Sequence, residues 1–434
     1  MKLELPRGMR DLEPEELTCI NSIRDKFFET MRLFNFKGVE PSPIELLATL
    51  EAKAGASISN EIYSFTDKGY RDIALRFDLT VGVTRLVASR RDLKMPVKIG
   101  AFAGVWRYDE PQAARYRYFH QWDVEIYDAF SVESDAEVIE FVSSFLNKLG
   151  LKVTIEVNDL KLIVEYIRSV LGVHDQQVIR EMLRAVDKVQ KKGLNAVLDE
   201  YSDRIVAGLL RNLLDFVSTK GTLEKVRSII GARQLVGWGG LEDLIDSLKS
   251  RKLDAVRINF GIVRGLDYYS GIVFEAFDPI ADVGALVGGG RYDTLTESFG
   301  RKDIGATGAA GGVERIMIAM QKRGLLRSLK TPVVYVAYQS PGVRGQALEI
   351  VSDLRNSGVS TDYDTQRRSI RKQLEDAIAK GSVLTVIVTE EDAEHGVVTL
   401  QDMKGRVQTK LRVEDLKQEA HKLIHQNLGL GELE

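Results

Sequence analysis

The sequence predicts an α+β protein with more than one domain. Three observations carry that prediction. A long hairpin pattern spans 96–128, a charged helical stretch runs from about 160 to 250, and a βαβα rhythm begins at Pro332. The 434 residues fit two or three domains and are enough to bury several cores. Lys plus Arg number 60 and Asp plus Glu 63, a net charge of −3 that excludes a histone-like polycation but not a local basic face. A single cysteine, Cys19, excludes an intrachain disulfide framework, and the five histidines are too scattered for a zinc motif. No apolar run approaches the roughly 18 residues of a membrane span. The N-terminal MKLELPRGMRDLEPEE lacks the apolar core of a signal peptide, so a cytoplasmic location is expected.

Residues 13–34 carry apolar positions at helical spacing, with Pro14 where a helix can begin. Gly38, Pro41 and Pro43 then break it. IYSFTD and DIALRFD read as two strands about the turn DKGYRD, and LTVGVTRLVASR as a helix. PVKIGAFAGVWRY (96–108) and YRYFHQWDVEIYD (116–128) form the arms of the hairpin, joined by the polar loop DEPQAAR. The second arm alternates. Tyr116, Tyr118, His120, Trp122 and Val124 share one face, and Arg117, Phe119, Gln121, Asp123 and Glu125 share the other. Amides and carboxylates in mid-strand need partners, so that second face meets either water or a ligand. SDAEVIEFVSSFLNKLG (134–150) reads as a helix capped by Ser134, and KVTIEVND as a strand. The stretch 160–250 is a helical insertion broken at Gly172, Gly193, Gly221 and Gly231. Strand pattern returns at AVRINFG and GIVFEAF, followed by a glycine-rich region and the helix GGVERIMIAMQKRG. From Pro332 the order is strand, helix, strand, helix, then the strands VLTVIVT and VVTLQDM and a last helix from about Val413.

Glycine is unevenly placed. Twelve of 37 fall between Gly261 and Gly312, where proportional scatter gives about four. Three segments there could carry chemistry. In FGIVRGLDYYSGIVFEAF (260–277), Arg264, Asp267, Tyr268 and Tyr269 crowd between apolar strands, and an arginine in such company needs an anion. The plainer reading is a structural Arg–Asp pair in a turn. In GALVGGGRYD (284–293), three successive glycines suggest backbone close to a ligand, or simply a flexible loop. It is neither a Walker A loop nor a dinucleotide fingerprint. In GATGAAGGVERI (305–316), small residues precede a helix with Arg315 in its first turn, a place that favours an anion. At the hairpin, Arg107, Arg115 and Arg117 offer fixed forks of donors for phosphate or carboxylate, and Phe119 offers a ring for a base. A solvated surface hairpin is the bland alternative.

Together these segments resemble the histidyl-tRNA synthetase family of class II aminoacyl-tRNA synthetases, over nearly the whole chain. PRGMRD (6–11) is similar to that family's N-terminal signature, and LRFDLT followed by Arg85 to its amino-acid-binding strand and helix. VWRYDEPQAARYRYFHQWDVE (105–125) resembles class II motif 2, VRGLDYY (263–269) and GGGRYD (288–293) the two histidine motifs, and the segment around GGVERI motif 3. The last hundred residues resemble an anticodon-binding domain.

The resemblance implies a class II antiparallel sheet flanked by helices. It divides the chain into a first core segment (1–159), the helical insertion (160–250), a second core segment (251–322), a linker (323–331) and an α/β anticodon-binding domain (332–434). It implies ATP-dependent attachment of histidine to tRNA(His) through a histidyl-adenylate, with Mg²⁺ on the phosphates, no membrane and a homodimer. Arg107, Arg264 and Arg315 would carry the catalytic charge. Arg107 would hold the α-phosphate, Arg315 the γ-phosphate and Arg115 the phosphate tail. Phe119 would stack on adenine, with Asp109 at its amino edge. Arg264 would also meet the histidine carboxylate. Asp78, Thr80 and Gln121 would take the α-amino group, and Glu125 and Tyr269 would bracket the imidazole. Tyr268 and Tyr292 would line the same pocket. Asp109 stands where motif 2 commonly has glutamate, the loop with Glu110 and Ala113 is less basic than in some relatives, and Pro41 and Pro43 both flank the motif 1 position. A non-catalytic histidine-binding regulatory subunit of ATP phosphoribosyltransferase shares the core fold. Such subunits generally lack the anticodon domain and carry eroded histidine motifs. A class II enzyme for another amino acid is disfavoured by the polar pair Glu125 and Tyr269.

Overall fold

The computed structural model describes residues 3–54, 58, 60–108, 116–128, 130–230, 235, 237–263, 268–326 and 333–428. The chain divides into two compact units, Met1–Arg327 and Ser328–Glu434.

Among the described residues, the first unit is built on twelve strands: β1 (Lys37–Gly38), β2 (Ile44–Leu46), β3 (Ser64–Thr66), β4 (Asp72–Leu75), β5 (Val97–Trp106), β6 (Tyr118–Asp128), β7 (Thr154–Asp159), β8 (Lys220–Gly221), β9 (Val256–Asn259), β10 (Ile272–Phe277), β11 (Ala285–Arg291) and β12 (Gly305–Gly312). Nine of them form one sheet in the order β1-β5-β6-β12-β11-β10-β7-β9-β8. The run from β5 to β7 is antiparallel throughout, and only the β1–β5 and β7–β9 pairs are parallel. β2, β4 and β3 form a small sheet of their own.

The alternation in the hairpin assigns the two faces. Phe102 on β5 and Trp122 on β6 turn to one side, where Phe27 of the helix Pro14–Leu33 sits 5.9 and 5.6 Å from their ring centres. Phe141 and Phe145 of the helix Val132–Lys148 close the same cluster. Rings at these offset angles bury much apolar area and pack this side of the sheet. The opposite face of the hairpin carries Ala101, Ala103 and Val105, which join Leu79, Val83 and Val87 of the strand-to-helix segment ending in the helix Thr80–Ser89. One side of the sheet is therefore a dry core, and the other supports the site.

Glycine-rich segments that read as loops are central strands. β11 (ALVGGGR) pairs with β12 (GATGAAGG) in register Gly289 to Ala309. A Cβ on Gly289 would fall on the Gly308 carbonyl and the Phe274 ring, and one on Gly311 would lie 2.6 Å from Trp122 Nε1. Glycine in a strand weakens it, and here the close approach of neighbours requires it.

Other sequence expectations need correcting. The N-cap of the helix Val132–Lys148 is Ser131, whose side chain accepts from the Glu133 amide, and Ser134 lies buried inside the helix. The 160–250 stretch holds the helices Leu160–Ser169, Gln176–Lys192, Leu194–Tyr201, Ala207–Val217, Leu223–Ile230 and Trp238–Ser250, but also β8, which pairs with β9 at the end of the large sheet. Tyr166 stacks on Phe216 at 3.8 Å, and Phe216 lies 5.1 Å from Phe260 beside β9, so the helices share a core with the sheet's edge. The expected break at Gly231 lies outside the described residues.

The described residues of the second unit form five strands, β13 (Val334–Tyr338), β14 (Thr361–Tyr363), β15 (Leu384–Val388), β16 (Val397–Asp402) and β17 (Val407–Arg412), in the order β14-β13-β15-β16-β17. The first three pair in parallel and the last two antiparallel. Its core joins Val334, Val336, Val386 and Leu400 to Ile350 and Leu354 of the helix Arg344–Asn356 and Leu416 of the helix Val413–Leu428. β17 escaped the sequence reading because VQTKLR is exposed along most of its length.

Gly289→Ala should lose about 1–3 kcal/mol of unfolding free energy by urea titration, the cost of overpacking. Gly208→Ala is the control: a Cβ there meets nothing within 4 Å, and it lies in a helix. Its expected effect is a gain of about 0.4–1 kcal/mol.

Candidate active site

A cavity of about 470 Å³ opens on the helix Thr80–Ser89 side of the large sheet. Asp78, Thr80, Arg107, Phe119, Gln121, Glu125, Tyr268, Tyr269, Tyr292 and Arg315 all line it. Residues separated by more than 200 positions thus meet at one place. Arg264, Asp109, Arg115 and Asp267 lie outside the described residues.

The hairpin supplies the polar face that its alternation predicts. Gln121, Asp123 and Glu125 are 4, 0 and 1 % exposed, so they do not face bulk water. Buried carboxylates must be paired, and these are. Gln121 donates through Nε2 to Asp123 Oδ1 at 2.7 Å, and Thr80 donates to Asp123 Oδ2 at 2.9 Å. Asp78 accepts from the Val81 amide at the start of the same helix, at 3.2 Å. Asp123 therefore orients Thr80 and Gln121 toward the cavity from beneath.

The Tyr292 hydroxyl donates to Glu125 Oε2. Burial, with the Glu125 charge adding to it, holds the Tyr292 phenol well above the usual tyrosine range, so it remains a donor. Gly308 of β12 sits directly opposite Glu125 in the sheet register. A Cβ at Gly308 would coincide with the Glu125 carboxylate. The small residue makes the seat that the carboxylate occupies. The Tyr268 and Tyr269 rings pack at a tilt of 38° with centres 4.2 Å apart, and the Tyr268 ring centre lies 6.5 Å from that of Tyr292.

Among the described residues, Arg107 and Arg315 reach the cavity. Arg107 donates through Nε to the Phe77 carbonyl at 3.0 Å and lies 5.0 Å from the centre of the Phe119 ring. Arg315, on the helix Val313–Lys322, donates to the Ala285 carbonyl at 2.8 Å. Each guanidinium is steered by a backbone oxygen, and Arg107 also donates through Nη2 to Gln121 Oε1 at 3.4 Å.

Arg117, which the sequence grouped with Arg107 as a phosphate candidate, belongs elsewhere. It donates to the Arg7 carbonyl at 3.2 Å, stacks 4.0 Å from the Tyr108 ring, and its amide bonds Gly8, so it fastens PRGMRD to the hairpin. Arg85 is likewise held by Glu45, at 2.7 and 3.0 Å. Pro41 is buried beside Gly82, while Pro43 is exposed. In GGGRYD, Arg291 is a structural pin. It bonds Asp135 Oδ2 at 2.8 and 3.1 Å and the Ser131 carbonyl at 2.6 Å, nearly out of contact with solvent.

Three carboxylates lining the cavity were not among the candidates: Glu275 on β10, Glu314 beside Arg315, and Asp187 of the helix Gln176–Lys192. Both Glu314 oxygens accept the His120 amide at 3.0 Å, and one lies 3.1 Å from its Nδ1. A lone glutamate inside the apolar run IVFEAF was a usable signal for Glu275. Nothing local marked Asp187.

An antiparallel sheet with such a cavity, a motif 2 hairpin and an arginine at the start of the closing helix is the catalytic fold of a class II aminoacyl-tRNA synthetase. The family model for histidyl-tRNA synthetase matches residues 8–316, and that for the anticodon binding domain matches 333–423. The histidine–tRNA ligase of Pyrococcus furiosus is 33% identical over 426 residues, which is 95% of this chain and 98% of that protein. The chain belongs to the histidyl-tRNA synthetase family. Among solved structures, histidyl-tRNA synthetase from Nostoc superposes with a TM-score of 0.84 at 22% identity, covering 97% of this chain and 99% of the other. A Bacillus halodurans protein described as an ATP phosphoribosyltransferase regulatory subunit/histidyl-tRNA synthetase gives 0.72 at 21% identity, covering 90% and 98%. Both share the fold.

Replacing Arg291 with leucine should cost about 3–5 kcal/mol in urea unfolding, because it strips the counter-charge from Asp135, whose carboxyl burial already pushes up to about 6. The double replacement Arg291→Leu with Asp135→Leu should recover most of that loss. Additive losses would show that the pair is not coupled.

Proposed function

We propose that this chain attaches histidine to tRNA(His) in two steps, using ATP. The observation that carries the reading is the single cavity that combines a buried Glu125–Tyr292 pair with the arginines Arg107 and Arg315. An imidazole needs two oriented polar partners to be distinguished from other rings, and a site built of such groups rejects an analogue that leaves them unpaired. Glu125 and Tyr269 are those partners in this reading, with Tyr268 and Tyr292 closing the pocket. Asp78, Thr80 and Gln121 take the α-amino group.

The histidine carboxylate is already an anion at neutral pH, so its attack on the α-phosphate needs no general base. It needs alignment and positive charge where the phosphate becomes pentacoordinate. Arg107 and Arg264 supply that charge at the α-phosphate, Arg264 also holding the histidine carboxylate, and Arg315 holds the γ-phosphate. Arg115 steadies the phosphate tail. Phe119 stacks on adenine, with Asp109 at its edge. Pyrophosphate leaves, and the terminal ribose of the tRNA then accepts the histidyl group with release of AMP.

Among the described residues no cluster of three or more His, Cys, Asp or Glu side chains forms a metal cage. The cavity carboxylates Glu275 and Glu314 suit Mg²⁺, which keeps its waters and is held mainly by substrate phosphates with one or two carboxylates. Glu275 and Glu314 are the cavity carboxylates that would hold it, and when bound it would neutralise charge on the phosphates.

The match to an anticodon-binding domain at 333–423 supports tRNA contact through the second unit. A homodimer is supported by the open β1 end of the large sheet and by exposed Leu33, Ile44, Leu46 and Phe65 nearby in sequence. No described helix is long and apolar enough to cross a membrane, and the cytoplasm, where the tRNA and ATP are, is the proposed location.

ATP–pyrophosphate exchange with each of the twenty amino acids tests the reading. Histidine alone should support exchange. No exchange despite bound histidine would instead favour a regulatory, histidine-sensing role. Arg107→Ala and Arg264→Ala should each lower the exchange rate by about 100-fold or more with little change in melting temperature, as expected for charge felt mainly in the transition state. Near-normal exchange in either variant would remove that arginine from the mechanism.

A further inference from the structure

The chain around Tyr269 is held on both sides by the segment that follows the three glycines. The Thr294 hydroxyl donates to the Tyr268 carbonyl at 2.7 Å. The Ser270 amide donates to the Arg291 carbonyl at 2.8 Å. These two groups belong to the two peptide planes that flank the Tyr269 Cα, and each plane is rigid. Between them lie only the two backbone dihedrals of Tyr269. Holding both planes therefore sets the direction in which its side chain leaves the backbone.

A reciprocal pair of bonds reinforces this grip. The Ser270 hydroxyl donates to Asp293 Oδ2 at 3.1 Å, and the Asp293 amide donates back to the Ser270 oxygen at 3.1 Å. The Ser270 hydroxyl has one proton, and the carboxylate is a nearer and stronger acceptor than the Arg291 carbonyl at 3.5 Å. Asp293 Oδ1 accepts the Ala306 amide of β12 at 2.8 Å and lies 3.4 Å from Arg291 Nη1. The Ala306 carbonyl in turn accepts the Tyr292 amide at 2.8 Å. Residues 291–294 thus fasten the backbone around Tyr269 to the strand that leaves room for Glu125. Tyr268, Tyr269 and Tyr292 line the cavity, whereas Ser270 and Thr294 do not. The two hydroxyls act on the cavity through the backbone of the tyrosines.

We propose that Ser270 and Thr294 are positioning residues for amino-acid choice: their hydroxyls hold the backbone on either side of Tyr269 and so aim its phenol at the imidazole. The inference rests on Tyr269 being a partner of that ring. Glu125 has its own support, the bond from Tyr292 and the space at Gly308. The two partners of the imidazole are therefore held by separate devices, and the Ser270 and Thr294 hydroxyls act on only one of them.

Steady-state exchange kinetics on the full chain test this. Thr294→Val should raise KM for histidine about fivefold, the loss of one hydrogen bond, with kcat and KM for ATP within about twofold. Ser270→Ala breaks both bonds of the reciprocal pair and should raise KM for histidine at least as much. Thr294→Ser keeps the hydroxyl and should hold KM for histidine near its original value. Thr294 is exposed, and a melting curve checks that each variant is folded. Tyr269→Phe should raise KM for histidine by itself. In that background Thr294→Val should add less than about twofold, because no phenol remains to be aimed. The same factor in both backgrounds would mark a merely structural role and overturn the proposal. An unchanged KM for histidine in both Thr294→Val and Ser270→Ala would also overturn it, as would equal rises in KM for histidine and for ATP. Tyr269→Phe separates the two layers. If it raises KM for histidine while Thr294→Val and Ser270→Ala are silent, the grip fails and the reading of Tyr269 stands. If Tyr269→Phe leaves KM for histidine unchanged, the reading of Tyr269 fails and the proposal falls with it.

Discussion

The structure depends on a carboxylate held in the middle of a sheet. Glu125 is almost wholly buried on β6, and isolated burial of a charged group is costly. Two features make it tolerable. Tyr292 donates to it, and Gly308 on the neighbouring strand leaves the space it fills. That seat makes demands on the neighbouring strands. β12 must be nearly free of side chains, and β11 beside it carries three successive glycines. Those strands then hold together through partners elsewhere: the Phe274 ring over Gly289, the Trp122 indole against Gly311, and the Arg291–Asp135 pair that ties β11 to a helix on the dry side.

The same two-sided design separates stability from chemistry. Phe27, Phe102, Trp122, Phe141 and Phe145 pack one face of the sheet. The other face is left to polar groups fixed from below, with Asp123 holding both Thr80 and Gln121. Little has to move for such groups to meet a substrate, which is how preorganised polar sites lower a barrier. Arg107 and Arg315 follow the same rule, each steered by a bond to a backbone carbonyl.

Much of this was legible in the sequence because it is local. Alternation along 116–128 separates Trp122 from Gln121 and Glu125, and the structure keeps that division between core and cavity. The glycine-rich segments were visible as unusual but pointed to loops. Their meaning comes from Phe274, Trp122 and Glu125, which lie far away in the chain. Arg117 looked like a ligand-binding arginine because its neighbours in sequence did, and its true partner is the distant Arg7 carbonyl. Ser134 had the right chemistry for a cap, but the helix begins three residues earlier at Ser131.

The central claim is that the missing side chain at Gly308 exists to seat Glu125 for histidine. Calorimetric titration of histidine into Gly308→Ala tests it, once a cooperative melt shows that the variant is folded. Histidine affinity should fall at least about tenfold while ATP affinity is retained, because the new methyl displaces the carboxylate and nothing at the arginines. Unchanged histidine affinity in a folded Gly308→Ala protein would contradict the account.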